Sequence, residues 1–216
     1  MDIKLKVCGI TNLADARFCA AAGADYLGFV QYEGSPRHIA PGDASEIIAW
    51  MYGPKAVGVY VNASVEEVNR TAEEAGFDLV QLHGVEPPEV CAALERPVVK
   101  ALHVSPATRV DDLRRLMDRY APHVEAFLLD TKRDDAWGGT GERFDWSIAR
   151  ALAGEHRLFL AGGLDAENVA EAVRTVRPYA VDLSSSLEYE PGRKDFDRLS
   201  AFFTAFDALR AEALEG

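Results

Sequence analysis

The feature that most constrains the fold is a regular alternation of strand-like and helix-like segments along all 216 residues. Short apolar runs, rich in β-branched residues, recur at intervals that leave room for one helix between them. The pattern predicts eight strands, at residues 3–8, 26–30, 56–61, 79–82, 98–102, 126–129, 158–161 and 180–183. It also predicts eight helices, at residues 13–22, 44–51, 65–75, 88–94, 110–120, 146–152, 166–176 and 196–214.

Polar residues that can cap a helix precede several of these segments. A side-chain oxygen at such a position accepts one of the backbone N–H groups that the first turn leaves unpaired. We therefore expect N-caps at Asn12, Asp43, Ser64, Asp145 and Asp165.

Strict alternation of strands and helices predicts parallel strands that are joined by right-handed crossovers. Eight such units close most naturally into a (β/α)8 TIM barrel, for which about 200 residues is near the lower limit. No linker rich in proline or serine divides the chain, so we expect residues 1–216 to form a single α/β barrel domain. The competing fold is a doubly wound open sheet, which usually has a glycine-rich dinucleotide turn after its first strand. Residues 8–11 (CGIT) do not form one.

Charge and cysteine content narrow the possible partners and the compartment. The net charge of −12 argues against a nucleic-acid binder, which needs a basic surface to neutralise phosphates. Cys8, Cys19 and Cys91 are odd in number and widely spaced, which suggests neither a disulfide framework nor a zinc knuckle. No apolar run is long enough for a membrane span, and the first residues enter a strand rather than a signal peptide. We expect a cytoplasmic protein without a membrane partner.

Two residues at predicted strand ends could carry acid–base chemistry, because the carboxyl ends of the strands form the active-site face of a barrel. Cys8 ends the first strand, and Asp130 follows the sixth. Partial desolvation there is expected to raise the pKa of Asp130 and suit it to general acid catalysis. The structural alternatives, a buried apolar cysteine and a capping or ion-paired aspartate, stay open at this point.

The turns after the last two predicted strands resemble an anion site. Gly162 and Gly163 follow the seventh strand, and Ser184, Ser185 and Ser186 follow the eighth. In barrels these two loops commonly bind phosphate, since glycine lets the backbone approach the anion and hydroxyls add donors. Ordinary tight turns are the alternative.

Further candidates surround this face. Arg37 could hold a substrate carboxylate through its planar guanidinium. Lys6 lies two residues before Cys8 and points to the same side of the strand, where its charge would increase the thiolate fraction. Residues 137–141 (WGGTG) could form a closing lid or a second anion contact. The histidines lack a His-x-x-x-His spacing; His83 and His103 fall at strand ends, but we expect no metal.

Taken together, these motifs resemble the phosphoribosylanthranilate isomerases of tryptophan biosynthesis. The resemblance covers nearly the whole chain in order. It rests on residues 6–11 (KVCGIT), 35–37 (SPR), 58–62 (GVYVN), 80–84 (VQLHG), 129–131 (LDT), 138–141 (GGTG), 161–164 (AGGL) and 181–182 (VD), among others.

The resemblance implies a cofactor-independent Amadori rearrangement of N-(5-phosphoribosyl)anthranilate, a small phosphorylated aminosugar. It implies that Cys8 is the general base, Asp130 the general acid and Arg37 the ligand of the anthranilate carboxylate. It assigns the turns at 162–163 and 184–186 to the phosphate. Because they lie in matching motifs, we also place His83, Asp182 and Gly139 among the substrate-binding residues, together with Lys6.

One departure from the family pattern concerns Ser186, where the family usually has glycine. A Cβ would be strained in a conformation that only glycine adopts, and we expect this change to be accommodated.

Indole-glycerol-phosphate synthase and phosphosugar epimerases are competing activities, but their lysine–glutamate and metal-ligand sets are not evident. A phosphosugar-binding paralogue without activity would be expected to lose Cys8 or Asp130. Monomer and homodimer both remain open.

Overall fold

The structure, a computed structural model, describes residues 3–131 and 145–215. Eight parallel strands pair in chain order, and β8 pairs with β1, so the sheet closes into a barrel. This closure confirms the predicted (β/α)8 barrel and excludes the open sheet. The strands are β1 Lys4–Cys8, β2 Tyr26–Val30, β3 Lys55–Tyr60, β4 Leu79–Leu82, β5 Val98–Val104, β6 Ala126–Thr131, β7 Leu158–Leu160 and β8 Ala180–Leu183.

Helices follow the strands and cover the outside of the barrel. They are α1 Leu13–Ala21, α2 Pro41–Ile48, α3 Val65–Ala75, α4 Pro88–Ala93, α5 Val110–Tyr120, α6 Trp146–Leu152, α7 Val169–Val176 and α8 Phe196–Glu215. Short 3₁₀ turns lie at Ala121–His123 and Ser185–Leu187. None of the helices in the described ranges is both long and apolar enough to span a bilayer.

The helix starts confirm three predicted caps and correct two. Asn12, Ser64 and Asp145 each accept a backbone N–H in the first turn. Asp43 was expected to cap α2 but lies inside it, because Pro41 takes the first helical position, where its fixed φ suits the helix. Asp165 accepts the N–H groups of residues 167 and 168 in a turn that precedes α7, which begins only at Val169.

Buried apolar side chains form two layers, as strand alternation requires. The larger layer lies between the strands and the helices and includes Leu5, Phe29 and Leu129. The smaller one fills the barrel interior and includes Val57, Leu128 and Phe159. Toward the carboxyl ends of the strands this interior becomes polar, which is where a barrel places its chemistry.

A two-stranded hairpin that the sequence pattern did not predict follows the 3₁₀ turn after β8. Its antiparallel strands are β9 Glu188–Glu190 and β10 Arg193–Lys194, joined through Gly192 at φ 80°. The hairpin buries the side chains of Glu188 and Lys194 beneath the carboxyl-terminal face. Neither residue lines the cavity at that face, but both contact residues that do: Glu188 contacts Arg37, and Lys194 contacts the carbonyl of Cys8.

Candidate active site

A cavity of about 410 Å³ opens at the carboxyl ends of the barrel strands. Among the residues that line it are ten of those predicted for the site: Cys8, Arg37, His83, Asp130, Gly162, Gly163, Asp182, Ser184, Ser185 and Ser186. The two others do not line it. Lys6 is buried below the cavity, and Gly139 lies outside the described residues, as does the rest of the predicted loop at 137–141.

The thiol of Cys8 stands at the end of β1 against a glycine. Strand register pairs Cys8 with Gly28 of β2, and a Cβ at position 28 would lie 2.6 Å from the Cys8 Sγ. The missing side chain of Gly28 thus makes room for the thiol at the cavity wall. Since the cysteine is only 9% exposed, it reaches solvent only through the cavity.

A buried ion pair lies one layer below Cys8. Register places Lys6 of β1 opposite Asp182 of β8, and the Lys6 Nζ lies 2.9 Å from the Asp182 Oδ2. Burial by itself disfavours the ammonium, but the facing carboxylate outweighs it and raises the pKa of Lys6. Lys6 is therefore a fixed cation, and its main partner is Asp182. The second carboxylate oxygen of Asp182, Oδ1, is buried without a hydrogen-bond partner among the described residues.

Lys6 favours the thiolate of Cys8, as expected, but burial has the larger effect on the pKa of the thiol. Burial raises the pKa of the Cys8 thiol above its usual value near 9.0, and the positive charges of Lys6 and Lys194 offset this only in part. The negative charge of Asp182 acts in the same direction as burial. The thiol is therefore mostly protonated at neutral pH, although Lys6 increases its thiolate fraction.

Asp130 forms the other side of the site with His83. Its carboxyl is 5% exposed, and Oδ1 accepts the backbone N–H of Thr131 at 2.8 Å. Oδ2 lies 3.5 Å from Nε2 of His83, an ion-pair distance but not a hydrogen bond. Gln81 contacts the other ring nitrogen of His83, with its Nε2 lying 2.9 Å from Nδ1. Gln81, His83 and Asp130 thus form a buried row at this side of the cavity.

Arg37 reaches the cavity from the loop after β2 and is held there by Glu188. Its Nη2 lies 2.6 Å from the Glu188 Oε2, and its Nε is 3.0 Å from both carboxylate oxygens. The guanidinium edge that carries Nη1 is not used by Glu188. The burial of Glu188 is outweighed by Arg37 and Lys194, which lower its pKa.

Lys194 connects the end of β1, the loop after β8 and Glu188. Its fully buried Nζ lies 2.6 Å from the carbonyl oxygen of Cys8, 3.2 Å from that of Ser184 and 2.9 Å from the Glu188 Oε1. The sequence analysis missed Lys194, Glu188 and Gln81. Only Gln81 had a signal, since it shares the inward face of β4 with Leu79.

The two predicted anion turns meet at one edge of the cavity. Gly162 and Gly163 both have positive φ, 87° and 67°, a conformation that favours glycine. A Cβ on Gly162 would also lie 3.0 Å from the Asp130 Oδ1. Ser186 lies in the 3₁₀ turn of the facing loop with negative φ, since Asn62 and Arg177 are the only non-glycine residues with positive φ in the described ranges. Its backbone is therefore unstrained.

This arrangement can combine proton transfer with the binding of an anionic substrate. The thiol and the carboxyl stand on β1 and β6, which are separated by β7 and β8 around the barrel, so they face the cavity from different sides. Glycine and serine turns lie at β7 and β8, between them. His83, His103 and Asp130 could together hold a metal ion.

Comparison with known proteins assigns a family to this geometry. A family model described as N-(5′-phosphoribosyl)anthranilate (PRA) isomerase matches residues 5–205. An N-(5′-phosphoribosyl)anthranilate isomerase of Citrifermentans bemidjiense is 50% identical over 197 residues, which cover 91% of this chain and 93% of that protein.

Solved structures agree. The phosphoribosyl anthranilate isomerase of Thermus thermophilus superposes with a TM-score of 0.86 at 40% identity, covering 96% of this chain and 100% of that one. A phosphoribosyl anthranilate isomerase solved in complex with reduced 1-(o-carboxyphenylamino)-1-deoxyribulose 5-phosphate gives 0.83 at 38% identity, covering 95% of this chain and 99% of that one. The chain therefore belongs to the N-(5′-phosphoribosyl)anthranilate isomerase family.

Proposed function

We propose that this protein converts N-(5′-phosphoribosyl)anthranilate to 1-(2-carboxyphenylamino)-1-deoxyribulose 5-phosphate, with Asp130 as general acid and Cys8 as general base. Isomerisation of phosphoribosylanthranilate is the activity of the family, and it belongs to tryptophan biosynthesis. The observation that carries the residue assignment is the placement of the Cys8 thiol and the Asp130 carboxyl on different sides of the same cavity.

Ring opening is the first step. Asp130 donates a proton to the furanose ring oxygen while the bond from that oxygen to C1 breaks, and the anilino nitrogen supplies the electrons that form a protonated Schiff base. An acid in this role must lie within hydrogen-bond reach of the ring oxygen. His83 and the N–H of Thr131 support this by fixing the carboxyl at the cavity wall.

Proton abstraction from C2 is the second step. The thiolate of Cys8 takes the C2 hydrogen, and the electrons move to the Schiff base nitrogen, forming an enolamine. Protonation at C1 and loss of the hydroxyl proton at C2 then give the ketone. The raised pKa of the thiol makes its thiolate a stronger base, at the cost of a smaller ionised fraction. The cationic Schiff base would favour the thiolate beside it, since an opposite charge stabilises the ionised form.

The remaining groups bind the substrate. Arg37 offers a guanidinium edge to the anthranilate carboxylate, and Glu188 holds it in place. The turns at 162–163 and 184–186 offer N–H and hydroxyl donors to the phosphate. Asp182 lines the cavity with an unpaired buried oxygen, which suits a sugar hydroxyl. Lys6 acts on substrate only through Asp182 and Cys8. None of these steps calls for a cofactor.

The test is a fluorescence assay of the purified protein with freshly prepared phosphoribosylanthranilate, in EDTA and without added cofactor. Conversion to the ketose product, verified by chromatography, is the expected result. If the reduced product analogue binds but no substrate is converted, the protein is a phosphosugar-binding relative and the proposal fails.

A further inference from the structure

Three potential metal ligands stand together beside the proposed acid. His83, His103 and Asp130 each offer one ring nitrogen or carboxylate oxygen, and these three atoms lie within 4.8 Å of one another. The two imidazole rings meet edge to face, with their centroids 5.0 Å apart. The three residues come from the ends of the neighbouring strands β4, β5 and β6. We refer to them as the His–His–Asp cluster.

Two buried atoms at this cluster lack hydrogen-bond partners among the described residues: Nε2 of His83 and Oε1 of Gln81. Gln81 is 1% exposed and His83 8%. An unpaired buried polar atom is costly, so each of these two atoms calls for an explanation. His83 aims its unpaired Nε2 at Asp130, 3.5 Å from the carboxylate oxygen.

A half-turn of the Gln81 amide, which exchanges two groups of nearly equal shape, brings its Oε1 to Nδ1 of His83. Nδ1 then carries the hydrogen and donates it, and the lone pair moves to Nε2, where it points into the cluster. A cation at that point would take the lone pair of His83 Nε2, while Oε1 of Gln81 accepts the Nδ1 hydrogen. Both atoms that otherwise lack a partner among the described residues then have one, and the amide nitrogen of Gln81 gives up its contact with His83.

The surroundings match the outer shell of a metal site. A histidine that binds a metal commonly donates its other ring N–H to a carbonyl or carboxylate, which orients the ring. Oε1 of Gln81 can take that place for His83. The backbone carbonyl of His83 takes it for His103, whose Nε2 lies 3.1 Å from that oxygen. Both imidazoles of the cluster therefore have an orienting acceptor.

We propose that the His–His–Asp cluster reversibly binds Zn²⁺, or a divalent cation of similar ligand preference, and that the bound ion inhibits the protein by occupying the carboxylate of Asp130. Two imidazoles and one carboxylate form a donor set that suits zinc and leaves a fourth position open to water. Tetrahedral zinc with bonds of about 2.0–2.1 Å places its donors roughly 3.4 Å apart, so side chains whose donor atoms are now up to 4.8 Å apart need to approach by up to about 1.4 Å. Mg²⁺ and Ca²⁺ prefer oxygen ligands and should bind far more weakly.

Metal binding does not depend on the proposed function, whereas inhibition rests on the proposed role of Asp130 as acid. Cobalt(II) separates the two, since it reports binding through its visible absorption and needs no turnover. We would titrate EDTA-treated, desalted protein with CoCl₂, displace the cobalt with ZnCl₂, and measure zinc inhibition of the isomerase assay in parallel. The expected result is one tightly bound cobalt per chain with a four- or five-coordinate spectrum, together with inhibition that EDTA reverses.

The decisive variant is His103→Gln, which removes one ligand and leaves Asp130 in place. We expect it to keep its activity in EDTA and to need at least about tenfold more zinc for inhibition, because even outer-shell changes weaken metal binding 10- to 100-fold. The matched control is His123→Gln, which changes a histidine in the 3₁₀ turn after α5. It should bind cobalt and respond to zinc like the unaltered protein.

A second variant, Cys8→Ser, tests the other nearby soft ligand. We expect the cobalt spectrum of Cys8→Ser to match that of the unaltered protein. If cobalt binding is instead lost in Cys8→Ser and kept in His103→Gln, the thiol is the metal ligand and the proposal is overturned. No cobalt binding to the unaltered protein would overturn it as well. If cobalt binding requires His103 but bound metal does not slow turnover, the metal site is supported and the proposed inhibition is overturned. That result would also count against Asp130 as the general acid.

Discussion

The Nζ of Lys194 lies 2.6 Å from the carbonyl oxygen of Cys8, and this contact joins residues that are 186 positions apart. The same ammonium contacts the carbonyl of Ser184 and the carboxylate of Glu188, which in turn holds Arg37. One buried cation thus holds in register the proposed base, the proposed phosphate loop and the proposed carboxylate ligand.

Replacing Lys194 by methionine should therefore affect both stability and catalysis. Removing the sole partner of a buried charge costs about 3–5 kcal/mol of unfolding free energy, and because Arg37 still pairs with Glu188 we expect a smaller loss than that. Loss of the anchor at Cys8 should also lower kcat by at least about tenfold, because small misplacements of reacting groups are expensive. Denaturant unfolding and steady-state kinetics test the two effects. Lys55→Met, at an exposed lysine, is the control, and equal behaviour of the two variants would contradict the assigned role.

Gly28→Ala should displace the thiol of Cys8. The added Cβ would lie 2.6 Å from Sγ and 3.2 Å from the Cys8 Cα, so the thiol must move. We expect kcat to fall by about 10²-fold while the protein still binds the reduced product analogue. Gly42→Ala is the matched control, since a Cβ there meets nothing within 4 Å and alanine favours the helix. Undiminished turnover in Gly28→Ala would argue against a reacting thiol at position 8.

Gly162→Ala should disturb the position of Asp130, the proposed general acid. The residue has a φ of 87°, and a Cβ would lie 3.0 Å from both the Asp130 Oδ1 and the Thr131 backbone nitrogen. Gly76→Ala provides a control with the same kind of strain, because Gly76 has a φ of 76° but nothing within 4 Å of its Cβ. Both variants should lose about 1–2 kcal/mol of stability from the left-handed backbone. Only Gly162→Ala should lower kcat/KM, by at least about tenfold.

The pH dependence of kcat/KM should reflect the raised pKa of Cys8. Because the active form needs Cys8 ionised and Asp130 protonated, kcat/KM should be bell-shaped, and the limb of the profile that reflects Cys8 should lie above the usual thiol value near 9.0. Lys6→Met removes a positive charge that favours the thiolate, so the limb that reflects Cys8 should move to still higher pH. At about pH 8 this variant should be slower than the unaltered protein and recover part of the difference as pH increases. A profile with no limb above the usual thiol value near 9.0 would show that this buried thiol is not the base.

Much of the fold could be predicted from local sequence patterns. The bounds of β2, β4 and β8 agree with the predicted ones, because each is a short apolar run with polar or glycine residues after it. The helices α3, α5 and α6 also agree at both ends. Errors arose where a turn imitates a helix start, as at Asp165, or where proline sets the start, as in α2.

The parts of the site that were missed depend on long-range contacts. The pairing of Lys6 with Asp182 follows from the register of β1 and β8, which only closure of the barrel establishes. Glu188 and Lys194 lie in a short hairpin whose sequence is that of a solvated turn, and nothing local indicates their burial. Ser186 shows the opposite case. The family pattern suggested backbone strain at this position, but Ser186 has a negative φ, which accommodates a side chain.

The most direct test of the central claim is to compare the kcat of Cys8→Ala and Asp130→Asn with that of Cys19→Ala, which changes a buried cysteine on α1 away from the cavity. Binding of the reduced product analogue would be measured for all three variants. We expect both site variants to bind the analogue but to lose about 10²–10⁴-fold in kcat, as removal of a general acid or base does. Cys19→Ala should turn over like the unaltered protein. Undiminished turnover in either Cys8→Ala or Asp130→Asn would contradict the proposed assignment of base and acid.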